Sequence, residues 1–259
     1  MQPDEAGRVL AGVATVVIAY GALFGGAEIL RRWGVAGGTT RTIVHVCASL
    51  LALGLPSLFD SPWPVVLMAI AFSCVMLVSD AVGLLGSIHD VPRRTVGAPA
   101  FPLGIAAAFV LTGAQAPDYP VAVLALGLAD PAAALAGHRF ARRSIGIWGT
   151  RRTLEGSVAG FLMASVTTAI VLIVAGGAEQ TSLLAASMAV GLAVALAEAA
   201  SPGGLDNIAI PTAAVAALDA TGSPWWLAVV LVGLASIVVM GAAWRRPVAA
   251  DPVRDDRPR

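Results

Sequence analysis

Long apolar runs separated by short polar stretches occupy most of this 259-residue chain. A bilayer core about 30 Å thick takes about 20 apolar residues per helical crossing. Runs of that order predict spans at 9–27, 43–59, 65–85, 100–116, 119–136, 158–178, 182–197, 208–218 and 225–243. The eighth is short and carries Pro211, so a half-helix that enters and leaves on one face is an alternative there. The pattern predicts an all-α, polytopic bundle of nine membrane spans.

Composition agrees. Hydrophobic residues make up 58% of the chain and charged residues 12%, about half the charge of an average soluble domain, which argues against a soluble fold. Sixteen basic residues, all Arg, balance sixteen acidic ones, which excludes a basic nucleic-acid binder and an acidic disordered tail at whole-chain level. Fifteen of the sixteen Arg fall in alternate loops: Arg31, Arg32 and Arg41; Arg93 and Arg94; Arg139, Arg142, Arg143, Arg151 and Arg152; and the tail after the last span. The intervening loops offer Asp60, Asp118, Glu179 and Asp219. Because positive flanks stay cytoplasmic, the amino terminus is expected outside and the carboxyl terminus inside, which requires an odd number of crossings. The chain reads as one transmembrane catalytic domain, 1–244, followed by an Arg-rich cytoplasmic tail, 245–259. Asp4 and Glu5 precede Arg8, unlike a cleaved signal peptide, and the lack of a targeting segment leans toward the cell membrane. Cys47 and Cys74 stand alone within apolar runs and read as packing residues.

Three polar constellations fall on the predicted cytoplasmic side. In the first, Asp130 interrupts an apolar span, where a carboxylate needs a partner or cation. Pro131 lacks an amide, so the helix is expected to break there and release the carbonyl four residues back. Asp130 either serves a polar site or pairs with an Arg to lock two helices. Beyond it, Gly149-Thr150-Arg151-Arg152-Thr153-Leu154-Glu155-Gly156-Ser157 precedes a span. Guanidinium forks, hydroxyls and helix-terminal amides are the donors a polyphosphate needs; the alternative is that the Arg residues only anchor topology.

In the second, Ser201-Pro202-Gly203-Gly204 stops a helix and Asp206-Asn207 opens the next. Asp206 is a metal ligand or a simple helix cap. Glu198 ends the preceding span. Asp130, Glu198 and Asp206 on one face are the oxygen donors that Mg²⁺ bridging two phosphates requires. The third, Arg41-Thr42-Ile43-Val44-His45, opens span two, near Glu28 and Arg31 at the end of span one. His45 is a proton acceptor, a phosphate partner or a structural donor.

These stretches resemble a known family, the CTP-dependent polyprenol kinases, which include dolichol, phytol and farnesol kinases, with a CTP-dependent diacylglycerol kinase as a relative. Asp130-Pro131 through Gly137-His138-Arg139-Phe140 is similar to the family's Asp-Pro-Ala-Ala run followed by Gly-Arg-Arg-Phe-Gly. Residues 149–157 are similar to Gly-Thr-Lys-Lys-Ser-Leu-Glu-Gly-Ser, and Glu198 through Pro211 resembles Glu-Ala-Leu-Ser-Pro-x-Gly-Leu-Asp-Asn-Leu-Thr-Ile-Pro. Arg41 to His45 is similar to Arg-Lys-x-x-His, and Phe101-Pro102 after Gly97 to Gly-Glu-x-x-Phe-Pro. Thr42 and Ala98 stand where the family has Lys and Glu, and Arg151-Arg152 where it has two Lys. The Arg pair keeps the charge, although the two side chains are not interchangeable.

The resemblance implies transfer of the γ-phosphoryl group of CTP to an isoprenoid alcohol at the cytoplasmic face. Catalytic roles fall to Asp130, Asp206 and His45, and Mg²⁺ to Asp130, Glu198 and Asp206. Nucleotide contacts fall to Arg139, Gly149, Thr150, Arg151, Arg152, Thr153, Glu155, Gly156, Ser157 and Asn207. The partners expected are CTP, the alcohol and the bilayer, with no nucleic acid. Three other readings share these features: a CTP-dependent diacylglycerol kinase, a phosphatidate cytidylyltransferase-like enzyme using the same nucleotide, and a non-enzymatic carrier, which also uses intramembrane acids and broken helices.

Overall fold

The apolar runs become helices whose ends follow local chemistry. We describe the chain from a computed structural model over residues 3–89, 95–142, 144–145, 152–176 and 180–221. Helix α1 (Pro3–Arg32) is followed by α2 (Gly37–Ala52), a single turn α3 (Leu55–Leu58) and α4 (Pro62–Ala81). Next come the short α5 (Gly86–His89), α6 (Gly97–Thr112) and α7 (Asp118–Leu124), a π-helical segment (Ala125–Ala129) and α8 (Asp130–Phe140). A two-stranded antiparallel ribbon, β1 (Ser144–Ile145) and β2 (Arg152–Thr153), precedes α9 (Leu154–Val174), α10 (Gln180–Ala200) and α11 (Asp206–Thr221).

Helices stand at each of the first eight predicted spans; the ninth, 225–243, and the tail, 245–259, lie outside the described residues. Among the described residues, five helical stretches are long and apolar enough to cross a membrane: Glu5–Arg32, Pro62–Ala81, Asp118–Phe140, Leu154–Val174 and Ser182–Ala200. α6 is apolar but shorter. The run expected at 43–59 divides, because Gly54 and Pro56 interrupt it: α2 begins at Gly37 and ends at Ala52, and α3 takes the remainder. Arg41 and His45 therefore sit within α2 rather than at its opening.

The break expected at Asp130-Pro131 does not occur. Helix continues from Asp118 to Phe140, and the missing proline amide is absorbed by the π segment just before it. This segment is the centre of the molecule: Ala122, Ala125, Leu126 and Ala129 are almost fully buried, surrounded by α2, α9 and α11. Small residues make close approach possible, as expected where lipid removes the hydrophobic drive between helices. A Cβ added to Gly127 would collide with the Ser49 side chain of α2. Outward, Ile18, Leu67, Val78 and Ile170 are exposed, an apolar exterior that water does not tolerate over such an area and a bilayer does.

Candidate functional site

Arg152 organises one end of the bundle. β2 delivers it alongside the ends of α10 and α11, where Nη1 lies 2.6 Å from Glu198 Oε1 and Nη2 lies 2.5 Å from Asp206 Oδ2. Glu198 and Asp206 are buried. Burial works against the Arg152 charge, yet the two carboxylates outweigh it and raise its proton affinity above the ordinary arginine value. The next residue, Thr153, caps α9: its hydroxyl accepts from the Gly156 amide at 3.1 Å.

The turn between α10 and α11 follows the predicted pattern. α10 ends at Ala200, Gly203 and Gly204 take positive φ (63° and 100°), and α11 starts at Asp206. Asp206 Oδ1 accepts from the Asn207 amide at 3.0 Å. Asn207 Nδ2 donates to the Gly97 carbonyl at 2.8 Å, tying α11 to the start of α6. Its Oδ1 is buried without a hydrogen-bond partner among the described residues. Arg41 reaches the same place, with Nη2 3.2 Å from Thr95 Oγ1.

His45 is held from α7–α8. In π geometry a carbonyl is served by the amide five residues on; for Leu126 that residue is Pro131, which has none. The Leu126 carbonyl instead accepts from His45 Nε2 at 3.0 Å. A carbonyl only accepts, so Nε2 carries a proton, and in the neutral ring Nδ1 is left as an acceptor. His45 Nε2 also lies 3.9 Å from Asp130 Oδ2, and its ring packs edge-on to Phe101.

Two spaces meet here. A polar cavity of about 660 Å³ is lined by Thr42, Thr95, Asp130, His138, Arg152, Ser201 and Asp206, among others. An apolar slit of about 90 Å³ runs between α1, α2, α4 and α6. Among the described residues, Arg41, His45 and Asn207 alone line both.

Of the residues expected in the site, Asp130, Asp206, His45, Arg152 and Asn207 come together around the polar cavity. Glu198 does not line it and takes the other fork of Arg152. Among the described residues no three His, Cys, Asp or Glu side chains stand close enough to hold one metal ion. Arg139 is exposed at the end of α8, over the Phe140 ring. Thr153, Glu155, Gly156 and Ser157 form the start of α9 rather than the cavity wall. Gly156 serves packing, since a Cβ there would press on the Ala133 carbonyl of α8. Gly149, Thr150 and Arg151 lie outside the described residues. Glu28, also noted in the sequence, pairs with Arg31 at 2.8 Å and accepts from the Ser87 amide, away from the cavity.

His138, Thr95 and Ser201 also line the cavity and were not singled out by the sequence. For His138 the signal was present: Asp130, Ala134 and His138 recur every four residues, one face of a helix, whereas Arg139 lies about 100° further round.

The class of protein so defined is a helical membrane protein with a buried carboxylate–arginine cluster where a polar cavity meets an apolar slit. A phytol kinase of Synechocystis sp. is similar to this chain, 27% identical over 206 residues, which are 78% of this chain and 87% of the relative. That similarity supports a distant relationship to the polyprenol and phytol kinases without assigning a particular member. No family model matches the chain, and no solved structure matches it.

Proposed function

We propose that this protein is a membrane lipid kinase that transfers the γ-phosphoryl group of CTP to an isoprenoid alcohol at the cytoplasmic face. The observation that carries the reading is the meeting of a polar cavity and an apolar slit at Arg41, His45 and Asn207. A kinase for a lipid alcohol has to bring a polyanion and a hydrocarbon to one point. The phytol kinase similarity supplies the alcohol and the reaction class.

Phosphoryl transfer asks for in-line positioning and cations on the spreading charge. Arg41 and Arg152 line the polar cavity and supply fixed positive charge to the phosphates. Asp130 and Asp206 line the same cavity, and Mg²⁺ is characteristically held by one or two carboxylates together with substrate phosphates. That pair therefore fits the ion, which would neutralise charge on the β- and γ-phosphates; Glu198 acts as the counterion that holds Arg152. The alcohol oxygen attacks the γ-phosphorus, the bond from that phosphorus to the β–γ bridging oxygen breaks, and CDP leaves. The hydroxyl proton goes to His45 Nδ1, because of the three shared residues His45 alone offers a ring-nitrogen lone pair as acceptor.

The test is to supply the purified protein with γ-labelled CTP, Mg²⁺ and a panel of prenols, diacylglycerol and phosphatidate. Label in a prenyl phosphate is expected. Label appearing only in pyrophosphate assigns a cytidylyltransferase instead, and no transfer to any acceptor overturns the enzymatic reading.

A further inference from the structure

We propose that the apolar slit holds the hydrocarbon tail of the acceptor alcohol, and that its closed floor restricts the enzyme to short isoprenoid alcohols of farnesyl to phytyl size. This rests on the lipid-kinase reading and adds a tail site with a length limit.

The slit has a polar end and an apolar end. At the polar end stand Arg41 of α2, Met76 of α4 and Gly97 of α6; at the other stand Val16 of α1, Leu55 of α3 and Val65 of α4. On α4 the lining runs from Val65 to Met76, which at 1.5 Å per residue is a depth of about 16 Å, roughly half of a 30 Å hydrocarbon core. Val16, Leu55 and Val65 are buried, and the Phe59 ring lies among them against Gly12 of α1, so the slit ends there.

The polar end carries a feature suited to a hydroxyl. Asn207 Nδ2 is spent on the Gly97 carbonyl, which leaves Oδ1 as a buried acceptor with no partner among the described residues, in a residue that lines the slit. Leaving a buried acceptor unmade is costly, and an alcohol O–H whose tail lies in the slit satisfies it. Asn207 and His45 both line the two spaces where they meet, so the O–H that Asn207 Oδ1 holds on binding passes its proton to His45 Nδ1 as the alcohol oxygen attacks.

Depth converts to length. A peptide advances about 3.6 Å over three backbone bonds, about 1.2 Å per bond, so about 16 Å accommodates about 13 bonds. That is the main chain of a farnesyl group, with a phytyl chain slightly longer and a dolichol-length chain several times longer. The free volume is that of a slit, so the tail enters by displacing side chains. Met68 and Met76 are unbranched and adaptable, and α1 meets α4 thinly, through the Tyr20–Phe72 ring contact at 5.5 Å.

The experiment measures two things on the full-length protein in detergent: the rise in melting temperature given by geraniol, farnesol, phytol and solanesol without nucleotide, and kcat/KM for the same alcohols with CTP. Farnesol and phytol are expected to stabilise and react best. Ala69→Phe, which places a ring part-way down the slit, shifts the preference ratio about tenfold toward geraniol, and Leu55→Ala, which opens the floor, shifts it about tenfold toward longer chains, the size of effect that pocket-filling groups give. If Ala69→Phe does not fold, the Leu55→Ala ratio decides. Equal stabilisation by all chain lengths, or variants with the wild-type profile, overturns the tail site. Chain-length-dependent stabilisation without transfer leaves the tail site standing and overturns the kinase reading.

Discussion

His45 Nε2 donates to the Leu126 carbonyl at 3.0 Å, across from α2 to the π segment. One proline thus sets the orientation of a histidine 86 positions earlier in the chain. Pro131 has no amide, the helix shifts to π register, the Leu126 carbonyl is left over, and His45 takes it with its Nε2 proton fixed. Pro131→Ala restores a competing donor. The expected outcome is unchanged or higher melting temperature with transfer slowed about 100-fold, the order that small misplacement of a reacting group costs. Steady-state kinetics beside thermal melting check it; wild-type kcat would remove the link between proline and histidine.

Asp130 lines the polar cavity, and its Oδ2 lies 3.9 Å from His45 Nε2. Asp130→Asn keeps the shape and removes the charge. Transfer should fall by a factor of 100 or more, about the contribution of a positioned acid–base or charge-stabilising group, while the protein still elutes as a folded species. Activity within a few-fold of wild type would make Asp130 a helix-locking residue instead.

Much of this arrangement was legible in the chain, for physical reasons. Apolar runs have few ways to sit in a bilayer, so the helices at the predicted positions and the Ser201–Gly204 turn followed from composition and backbone preference alone. The response to Pro131 was not legible: a break and a π-turn both accommodate a missing amide, and packing around Gly127 and Leu126 selects between them. Nor was the Arg152 bridge. Spacing placed Glu198 and Asp206 on one face as candidate metal ligands, but a guanidinium between them depends on where a short ribbon delivers it, and that is a long-range property. The apolar slit was invisible for the same reason, being assembled from several helices far apart in the chain with no motif of its own.

Backbone proximity gives a stability test. A Cβ at Gly104 of α6 would collide with the Asn207 carbonyl of α11, whereas one at Gly25 of α1 meets nothing within 4 Å. Gly104→Ala should destabilise by about 1–3 kcal/mol through overpacking and weaken prenol stabilisation by displacing Asn207. Gly25→Ala should be neutral or stabilising by up to about 1 kcal/mol, the helix-propensity gain. Melting temperatures of the two variants in one detergent compare them directly.

His89 offers a pH test away from the catalytic cavity. Burial pushes its proton affinity below the ordinary histidine value, with Asp80 opposing and Arg41 reinforcing. Its Nε2 lies 2.8 Å from Ser79 Oγ, whose own hydrogen goes to the Met76 carbonyl, so the neutral ring donates to Ser79. With the folded value depressed, the unfolded chain binds the proton first. The contribution is complete above the unfolded histidine value of about 6.5 and is lost as pH falls through it toward the folded value. Melting temperature should drop between pH 7 and pH 5 by more in the wild type than in His89→Gln. Equal slopes would show that His89 is not the group that titrates.

The Arg152 bridge separates stability from catalysis. Glu198 and Asp206 are buried and both spend an oxygen on one guanidinium, so Arg152→Ala leaves two carboxylates in a poorly solvated place. Removing one partner from a buried pair costs about 3–5 kcal/mol, most of it the penalty on the charge left behind; Arg152 is partly exposed, which puts the expected loss near the lower figure. Neutralising the orphans should restore most of the melting temperature, so Arg152→Ala with Glu198→Gln is expected to be more stable than Arg152→Ala alone. Transfer should not return with it, because the polar cavity has lost a phosphate-facing cation. Arg152→Lys discriminates further: an ammonium keeps the charge but lacks the two-armed fork that reaches both carboxylates, so stability should be intermediate and the KM for CTP raised. A lysine variant equal to wild type in both measurements would mean that charge alone, and not the fork between Glu198 and Asp206, holds this end of the bundle together.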